Sequence, residues 1–292
     1  MSALGTVAIL GAGTMGHGIA QVFATSGASV RLYDVDDART SKGHAQVRSS
    51  LEKLAAKGKI DASEVERITS AIVTTSDVTR AVEGADLVVE AIPEDMTLKV
   101  DVFKRVVAAA PPHAILGSNT SSLSITELGA RIGAADRTIG LHFFNPPPVM
   151  ELLEIVRGLG TSEATVERAR DLAKKIGKTS ILVSDTPGFA TSRLGVLLGA
   201  EAMRMLETGV ASAGDIDRAM ELGYRHPMGP LKLTDLVGLD VRLAILEHLQ
   251  REIGEQFRPP TILRKLVRAG HLGKKTGRGF YVWTDSGPKE PS

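Results

Sequence analysis

A histidine and a glutamate flank a proline-rich turn in the middle of the chain. In IGLHFFNPPPVMELLE, residues 139–154, one apolar run contains His142 and the next contains Glu154. Proline fixes φ and cannot donate a hydrogen bond to a sheet, so the prolines at 146–148 predict a rigid corner between two strands. Such a corner can hold the two side chains together, and a carboxylate beside an imidazole supports its charged form. A general base acting on an alcohol needs this arrangement. The alternative is a buried structural histidine capped by a polar turn.

The N-terminus contains a glycine-rich loop in the context that binds a dinucleotide. An apolar strand, residues 7–10, leads directly into GAGTMG, residues 11–16, and an apolar helix, residues 17–26, follows. In G-x-G-x-x-G the first glycine permits the tight turn, the second lets a pyrophosphate approach, and the third allows close helix packing. The free N–H groups where the helix starts then face the phosphates. The candidate cofactor-binding residues of this loop are Gly11, Gly13, Thr14, Met15 and Gly16.

A carboxylate at the end of the second predicted strand indicates which dinucleotide is bound. The strand SVRLY, residues 29–33, is followed by Asp34, about twenty residues beyond the loop, as this motif requires. The Asp34 carboxylate can accept hydrogen bonds from both hydroxyls of the adenosine ribose and would repel a 2′-phosphate. NAD is therefore favoured over NADP, although Arg39 a turn later opposes this preference.

Composition excludes several classes of protein. Of the 292 residues, 43% are hydrophobic and 24% are charged, which is typical of a globular chain, and the net charge of +1 indicates no nucleic-acid surface. Cysteine is absent, so disulfides, zinc thiolates and thiol nucleophiles are excluded, and we expect no metal. No targeting peptide and no apolar run of membrane-spanning length is evident, so we expect a cytoplasmic protein without membrane contact.

The order of elements predicts two domains. Strands and helices alternate in the first part, which indicates an α/β fold with a Rossmann-type, doubly wound, mostly parallel sheet. After SDTPG, residues 184–188, the pattern becomes helical. We therefore expect an NAD-binding domain at 1–186, with an inserted helical arm at about 37–70, and an all-α domain at 187–292. Functional residues of such sheets lie at the carboxyl ends of strands, so Glu94, Asn119 and His142 should share one rim.

Seven motifs, distributed over the whole chain in order, together resemble one family. They are GAGTMGHGIA, LVVEAIPED, SNTSSLSIT, GLHFFNPPPVMELLEI, DTPGFATSRL, HPMGPLKLTDLVGLD and GKKTGRGFYVW. The chain resembles the short-chain L-3-hydroxyacyl-CoA dehydrogenases, which include the 3-hydroxybutyryl-CoA dehydrogenases. This resemblance implies that an L-3-hydroxyacyl-CoA and its 3-oxoacyl-CoA are interconverted with NAD. It also implies a homodimer that associates mainly through the helical C-terminal domain.

The resemblance assigns a set of catalytic residues position by position. His142 matches the family's base and Glu154 its paired acid. Ser121 matches a serine that hydrogen bonds the substrate oxygen, and Asn119 matches an asparagine that lines the nicotinamide pocket. Asn145, in the turn after His142, is also a candidate catalytic residue. The alternative for the SNTSS segment is a helix-capping turn, a role that Ser124 suits.

Further residues are assigned to the cofactor and to CoA in the same way. Glu94 and Lys99 match residues that contact the ribose on the nicotinamide side; without the resemblance they would be interpreted as a surface ion pair. Ser50 and Lys57 match positions that contact the CoA moiety. Because the arm contains several basic residues, the alternative for Lys57 is a solvated helix face.

One position departs from the family pattern. In PGFATSRL, Ser192 stands where the family usually has an asparagine that is counted among the active-site residues. Serine has one hydroxyl where asparagine has a carbonyl and two N–H donors. We expect Ser192 to open the first C-terminal helix at the interdomain cleft and to alter substrate orientation or acyl preference. The alternative is a helix-start serine without substrate contact.

Three functions remain open on this reading. The first is an NAD-dependent 3-hydroxyacyl-CoA dehydrogenase. The second is a dehydrogenase of a free 3-hydroxy acid or sugar acid in the same superfamily, which would not need the basic arm. The third is a non-catalytic NAD-binding regulatory protein, which would not need the pair of His142 and Glu154.

Overall fold

The computed structural model describes residues 5–290, and the chain divides into two compact units, Met1–Thr186 and Pro187–Ser292. Within the described residues, the first unit forms an eight-stranded sheet in the order β3-β2-β1-β4-β5-β6-β7-β8. All neighbouring strands are parallel except β6 and β7. The strands are β1 Thr6–Leu10, β2 Ser29–Tyr33, β3 Ile72–Thr75, β4 Leu87–Glu90, β5 Ile115–Ser118, β6 Thr138–Phe143, β7 Leu152–Arg157 and β8 Thr179–Ser184. The expected doubly wound, mostly parallel sheet is confirmed.

Helices cover both faces of this sheet, so its central strands are apolar on both sides. Several helices begin at an aspartate or serine whose side chain accepts a backbone N–H bond of the first turn, as at Asp36, Asp77, Asp95 and Ser124. The helices of this unit are α1 Thr14–Thr25, α2 Asp37–Ala56, α3 Ala62–Ser70, α4 Val78–Val82, α5 Met96–Ala109, α6 Ile125–Ile132 and α7 Glu163–Lys175.

The second unit is built from helices around its own apolar core, which includes Leu231, Leu246 and Phe257. The helices are α8 Thr191–Glu207, α9 Ala213–Gly223, α10 Pro230–Val237, α11 Leu239–Glu252 and α12 Thr261–Arg268. A short hairpin follows, with strands β9 Val282–Thr284 and β10 Gly287–Lys289. The sequence predicted helices throughout this domain, so the hairpin is an addition to the expected architecture.

Two buried aspartates connect the end of the chain to the helices of this second unit. Asp235 accepts hydrogen bonds from the backbone N–H groups of Phe280 and Tyr281, at 2.9 and 3.0 Å, and from the Trp283 indole at 2.8 Å. Asp217 accepts from the Tyr281 hydroxyl at 2.8 Å and from two backbone N–H groups of α10. These bonds attach the GFYVW segment, residues 279–283, to the helices. Burial raises the pKa of Asp235.

Candidate active site

The antiparallel pairing of β6 and β7 places His142 directly opposite Glu154. The His142 Nδ1 and a Glu154 carboxylate oxygen are 2.7 Å apart, and both side chains are buried, with 0% of Glu154 and 7% of His142 exposed. The sequence predicted that the corner would bring these residues together, and the structure does so. A carboxylate on Nδ1 fixes the tautomer in which Nε2 is the basic nitrogen. This arrangement is one that can accept a proton at Nε2 and stabilise an imidazolium.

The turn between β6 and β7 is fixed from two sides. The Lys178 ammonium donates to the Pro147 carbonyl at 2.7 Å and to the Met150 carbonyl at 2.6 Å. Pro147 packs against α1 at Gly18, where an added Cβ would lie 2.8 Å from the Pro147 Cδ. Asn145 precedes a cis peptide bond to Pro146 and is exposed. Lys178 therefore holds the turn that follows His142, a role that the sequence did not indicate.

A buried cation connects two carboxylates at the carboxyl end of β4. The Lys99 ammonium lies 2.6 Å from Glu90 Oε1 and 3.3 Å from Glu94 Oε2, and only 1% of its side chain is exposed. Glu90 also accepts from the Ser118 hydroxyl at 2.6 Å and from the Ile92 N–H at 2.8 Å. Glu94 and Lys99 thus form an ion pair, as the sequence allowed, but a buried ammonium is not part of a surface pair. Glu90 completes the network and was not identified from the sequence.

Glu94 organises the SNTSS loop after β5. Its Oε1 accepts from the Thr120 hydroxyl at 2.6 Å and from the backbone N–H groups of Ser121 and Ser122 at 3.0 and 3.2 Å. Burial acts to raise the pKa of Glu94, but the Lys99 ammonium and the bonds from Thr120 and Ser121 outweigh it, so the pKa is lowered. Ser121 is consequently held in place by its backbone, and its hydroxyl lies 3.5 Å from the same oxygen.

Asn119 connects this loop to the histidine strand. Its side-chain carbonyl accepts a hydrogen bond from the Phe143 N–H at 2.8 Å, one residue beyond His142. Ser124 caps α6 by accepting a hydrogen bond from the Glu127 N–H, and its hydroxyl donates to Asp185 at 2.7 Å. This is the helix-capping role that the sequence suggested for Ser124. Glu94, Asn119 and Ser121 follow the carboxyl ends of β4 and β5, on the rim where the parallel strands end.

The loop after β1 has the geometry that a dinucleotide requires. Gly11 has φ +102°, and a Cβ there would lie 2.6 Å from the Ala91 carbonyl oxygen. A Cβ on Gly16 would lie 1.7 Å from the carbonyl oxygen of Gly11. A Cβ on Gly13 would meet nothing within 4 Å, so the chain is open on the side where a pyrophosphate would approach. The first turn of α1, with Thr14 and Met15, has no acidic residue and no side-chain cap. These residues fit the phosphates of NAD.

Asp34 is positioned by the same loop. One carboxylate oxygen accepts from the Ala12 N–H and the other from the Val35 N–H, both at 2.8 Å. A carboxylate has about four acceptor sites, so Asp34 can still accept bonds from ribose hydroxyls. Arg39 lies 3.8 Å from Asp34 and is largely exposed. The aspartate thus fits an adenosine ribose with free hydroxyls.

The helical arm consists of α2 and α3. Ser50 lies in α2, and Lys57, about two turns further on at 3.6 residues per turn, is the residue that caps the end of this helix, with Leu54 between them. Leu54 lines a groove of about 360 Å³, whose walls also include Gln21 of α1 and Pro148 of the turn. Gln21 is buried, and its side-chain oxygen has no hydrogen-bond partner among residues 5–290. The groove has a mixed lining, which includes apolar side chains such as Leu51 and Ile68 and the charged side chains of Glu151 and Lys178.

Ser192 lies in the second unit, at the second residue of α8, and is half-buried. The first turn of α8 has no side-chain cap, because Ala190 occupies the N-cap position. Among residues 5–290, no group of three or more histidines and acidic residues could hold a metal ion. No helix of the described chain combines the length and apolar character needed to cross a bilayer.

Comparison with known proteins defines the class of enzyme to which this site belongs. Residues 6–186 match the family model described as 3-hydroxyacyl-CoA dehydrogenase, NAD binding domain, and residues 188–283 match the C-terminal domain of the same family. The chain belongs to the 3-hydroxyacyl-CoA dehydrogenase family. It is an NAD-dependent oxidoreductase, as the glycine-rich loop and Asp34 predict.

Individual relatives are similar over nearly the whole chain. A probable 3-hydroxybutyryl-CoA dehydrogenase of Bacillus subtilis is 46% identical over 96% of this chain and 97% of its own. The mitochondrial hydroxyacyl-coenzyme A dehydrogenase of Sus scrofa is 43% identical, over 95% of this chain and 90% of its own. The crystal structure of (S)-3-hydroxybutyryl-CoA dehydrogenase from Ralstonia eutropha superposes with a TM-score of 0.92 at 43% identity, covering 96% of this chain and 99% of that one.

Proposed function

We propose that this enzyme interconverts a short-chain L-3-hydroxyacyl-CoA, such as 3-hydroxybutyryl-CoA, and the corresponding 3-oxoacyl-CoA, with His142 as the general base. The observation that carries this proposal is the buried contact of 2.7 Å between His142 and Glu154. The names of the relatives support the substrate class, because 3-hydroxybutyryl-CoA dehydrogenases recur among them.

Each residue of the site has a role in this reaction. Bound NAD supplies the acceptor for the hydride that leaves C3. His142 Nε2 accepts the proton of the C3 hydroxyl as the C3–O bond becomes a carbonyl, and Glu154 stabilises the imidazolium. Ser121 donates a hydrogen bond to the substrate oxygen, and Asn119, held by the Phe143 N–H, lines the nicotinamide pocket. Asn145 follows His142 in the turn and contributes to the same pocket.

Glu94 and Lys99 have different roles in binding the nicotinamide-side ribose of NAD. We propose that Glu94, which is partly exposed, contacts the ribose on the nicotinamide side, because Lys99 is the one partner of its Oε2 in the described part of the chain, while Oε1 is occupied by the loop. Lys99 is buried and holds Glu94 in place. Its contribution to cofactor binding is therefore exerted through Glu94.

The arm supplies the CoA site in this proposal. Lys57, at the C-terminal end of α2, is exposed and can reach a CoA phosphate, and Ser50 lies about two turns before it in the same helix. The groove beside Leu54 can hold the pantetheine arm. We also propose a cytoplasmic location, where NAD and CoA thioesters are both available.

A homodimer through the second unit is part of the proposal. Large apolar side chains of this unit remain exposed on the chain alone, among them Leu194 at 70%, Leu222 at 75% and Tyr224 at 76%. An apolar groove of about 690 Å³ lies beside Leu194, Leu197 and Leu198 of α8. Exposed apolar patches of this kind mark interaction sites in soluble proteins. A second copy of the chain is the partner that the resemblance implies.

The decisive experiment measures NADH oxidation with acetoacetyl-CoA, with a longer 3-oxoacyl-CoA and with free acetoacetate. We expect turnover of the CoA thioesters and none of the free acid, because only the thioesters engage the arm. Equal turnover of free acetoacetate would identify a free-acid dehydrogenase. An absence of turnover with every substrate, at confirmed NAD binding, would identify a non-catalytic NAD-binding protein.

A further inference from the structure

The turn between β6 and β7 supplies few backbone donors of its own. Its three consecutive prolines, residues 146–148, carry no N–H group. The N–H groups of the two residues that follow them both donate to the Pro146 carbonyl, at 3.0 Å. The carbonyls of Pro147 and Met150 instead accept from the Lys178 ammonium, at 2.7 and 2.6 Å. The position of the turn therefore depends on a side chain that lies outside it.

The backbone of Lys178 is fixed on both sides. Gly177, with φ +68°, follows α7 in the left-handed conformation, and the Lys178 N–H donates to the Ala173 carbonyl at 2.8 Å. The Thr179 N–H then donates to the Glu151 carbonyl at 2.9 Å, where β8 begins beside β7. Burial lowers the pKa of the Lys178 ammonium, and the charge of Glu151 acts in the opposite direction. Because this ammonium is half-buried and held in place, its charge-assisted bonds to the turn are strong.

The same turn contacts the imidazole of His142. Phe144, the first residue of the turn, lies against it, with ring centroids 4.6 Å apart and ring planes inclined at 49°. Glu154 meets the other side of the pair from β7, the strand into which the turn leads. A shift of the turn would therefore displace Phe144 and disturb the contact between His142 and Glu154. A displacement of about 1 Å at a reacting group can cost about 10²-fold in rate.

We propose that Lys178 is a positioning residue of the reaction, which holds the turn so that His142 and Glu154 keep the geometry that proton transfer needs. This inference rests on the proposed function, in which His142 is the general base. Lys178 also lines the groove of about 360 Å³ beside the arm, so a direct contact with the CoA moiety is the competing role. Kinetics separate the two roles, because positioning acts on kcat, whereas a contact made equally in the ground and transition states acts on KM.

The test measures the oxidation of L-3-hydroxybutyryl-CoA by NAD in three variants. Lys178→Met should lower kcat by about ten- to a hundredfold, a part of what a placed base contributes, while the affinity for NAD measured by titration is unchanged. The acidic limb of its pH profile of kcat/KM should move to lower pH, because a displaced carboxylate stabilises the imidazolium less. Lys178→Arg keeps a charged group with N–H donors and should recover most of kcat. Lys174→Met, at an exposed lysine of α7, is the matched control and should behave as wild type.

The outcomes separate this inference from the proposed function. A wild-type kcat in Lys178→Met, or a raised KM for the acyl-CoA at unchanged kcat, would overturn the positioning role. A lowered kcat with an unmoved pH profile and no recovery in Lys178→Arg would also overturn it, since Lys178 would then serve only folding. If wild type itself oxidises no 3-hydroxyacyl-CoA, the proposed function fails. Should Lys178→Met not fold, Lys178→Gln, which keeps a neutral N–H donor, is judged by the same criteria.

Discussion

Both units of this protein bury carboxylates, but the partners of those carboxylates differ. In the first unit Glu154 faces His142, and Glu90 faces Lys99, so each carboxylate meets a group that carries or can acquire a positive charge. In the second unit Asp217 and Asp235 accept, among residues 5–290, only from backbone N–H groups, a phenol and an indole. The difference teaches that burial of a carboxylate does not by itself identify a catalytic or binding role. Neutral donors make a structural attachment, whereas a basic partner at the end of a strand makes a proton or ion site.

The largest effect should come from removing the basic partner at the strand end. We expect His142→Gln to lower kcat by about 10²–10⁴-fold, the contribution of a placed general base, while NAD binding persists. His113→Gln is the matched control, because His113 also lies beside a carboxylate, Asp86 at 3.3 Å, but is exposed. Steady-state kinetics and NAD titration measure both variants. Retention of more than half of the wild-type kcat by His142→Gln would refute the base assignment.

Removing the buried ammonium should instead act on stability. Lys99→Met leaves Glu90 and Glu94 without their cation, and breaking a buried ion pair in this way costs about 3–5 kcal/mol. Lys104→Met changes an exposed lysine of the same helix, α5, and should cost close to nothing. Urea unfolding of both variants measures the difference. Equal stability of the two variants would show that the network contributes nothing to folding.

Glu94, beside the Lys99 ammonium, and Asp235, beside neutral donors, should respond to pH with opposite signs, whereas burial raises the pKa of Glu90 although it faces the same ammonium. The pKa of Glu94 is lowered below its ordinary value of 4.5, so its stabilisation is present above that pH and is lost as the pH falls through the lowered pKa. The pKa of Asp235 is raised above 3.8, so its contribution to the free energy of unfolding decreases as the pH rises through the raised pKa.

This sign difference can be measured by comparing each neutral variant with wild type. Across the acidic range, the stability advantage of wild type over Glu94→Gln should grow with pH, and its advantage over Asp235→Asn should shrink with pH. Thermal unfolding at a series of pH values gives both slopes. Two slopes of the same sign would contradict the opposite directions in which the pKa values of Glu94 and Asp235 are shifted.

The smallest effect concerns an exposed charge outside both networks. Lys57→Ala should raise KM for acetoacetyl-CoA a few-fold without changing KM for NAD, because an exposed contact to a phosphate is weak. The increase should diminish with added salt, since charges are screened beyond about 10 Å at 0.1 M. Lys42→Ala, at another exposed lysine of α2, serves as the control. An unchanged KM would leave Lys57 as part of a solvated helix face.

Local sequence patterns predicted much of the fold and much of the candidate site at the carboxyl ends of the parallel strands. The glycine loop, the aspartate after β2 and the alternation of elements predicted the sheet, because each depends on residues close in sequence. The contact of His142 with Glu154 was also predictable, since one short turn separates their strands. Its role as a base stays a prediction.

Residues that act through distant partners could not be found in this way. Lys178 follows α7 and reaches back to the turn at Pro147, and nothing in its own neighbourhood signals that contact. Glu90 gave a weak signal as an acid at the end of the apolar run LVVE. Such a signal becomes interpretable only when the partner of the residue is seen.

The cross-strand pairing of His142 and Glu154 also sets which changes in chain length the catalytic corner can tolerate. The turn at residues 144–151, which Lys178 holds, fixes the register in which the two strands pair. A single residue inserted into β7 before Glu154 would turn the carboxylate to the opposite face of the sheet, because side chains alternate along a strand. Natural variants and designed libraries should therefore exclude single-residue insertions and deletions from both strands.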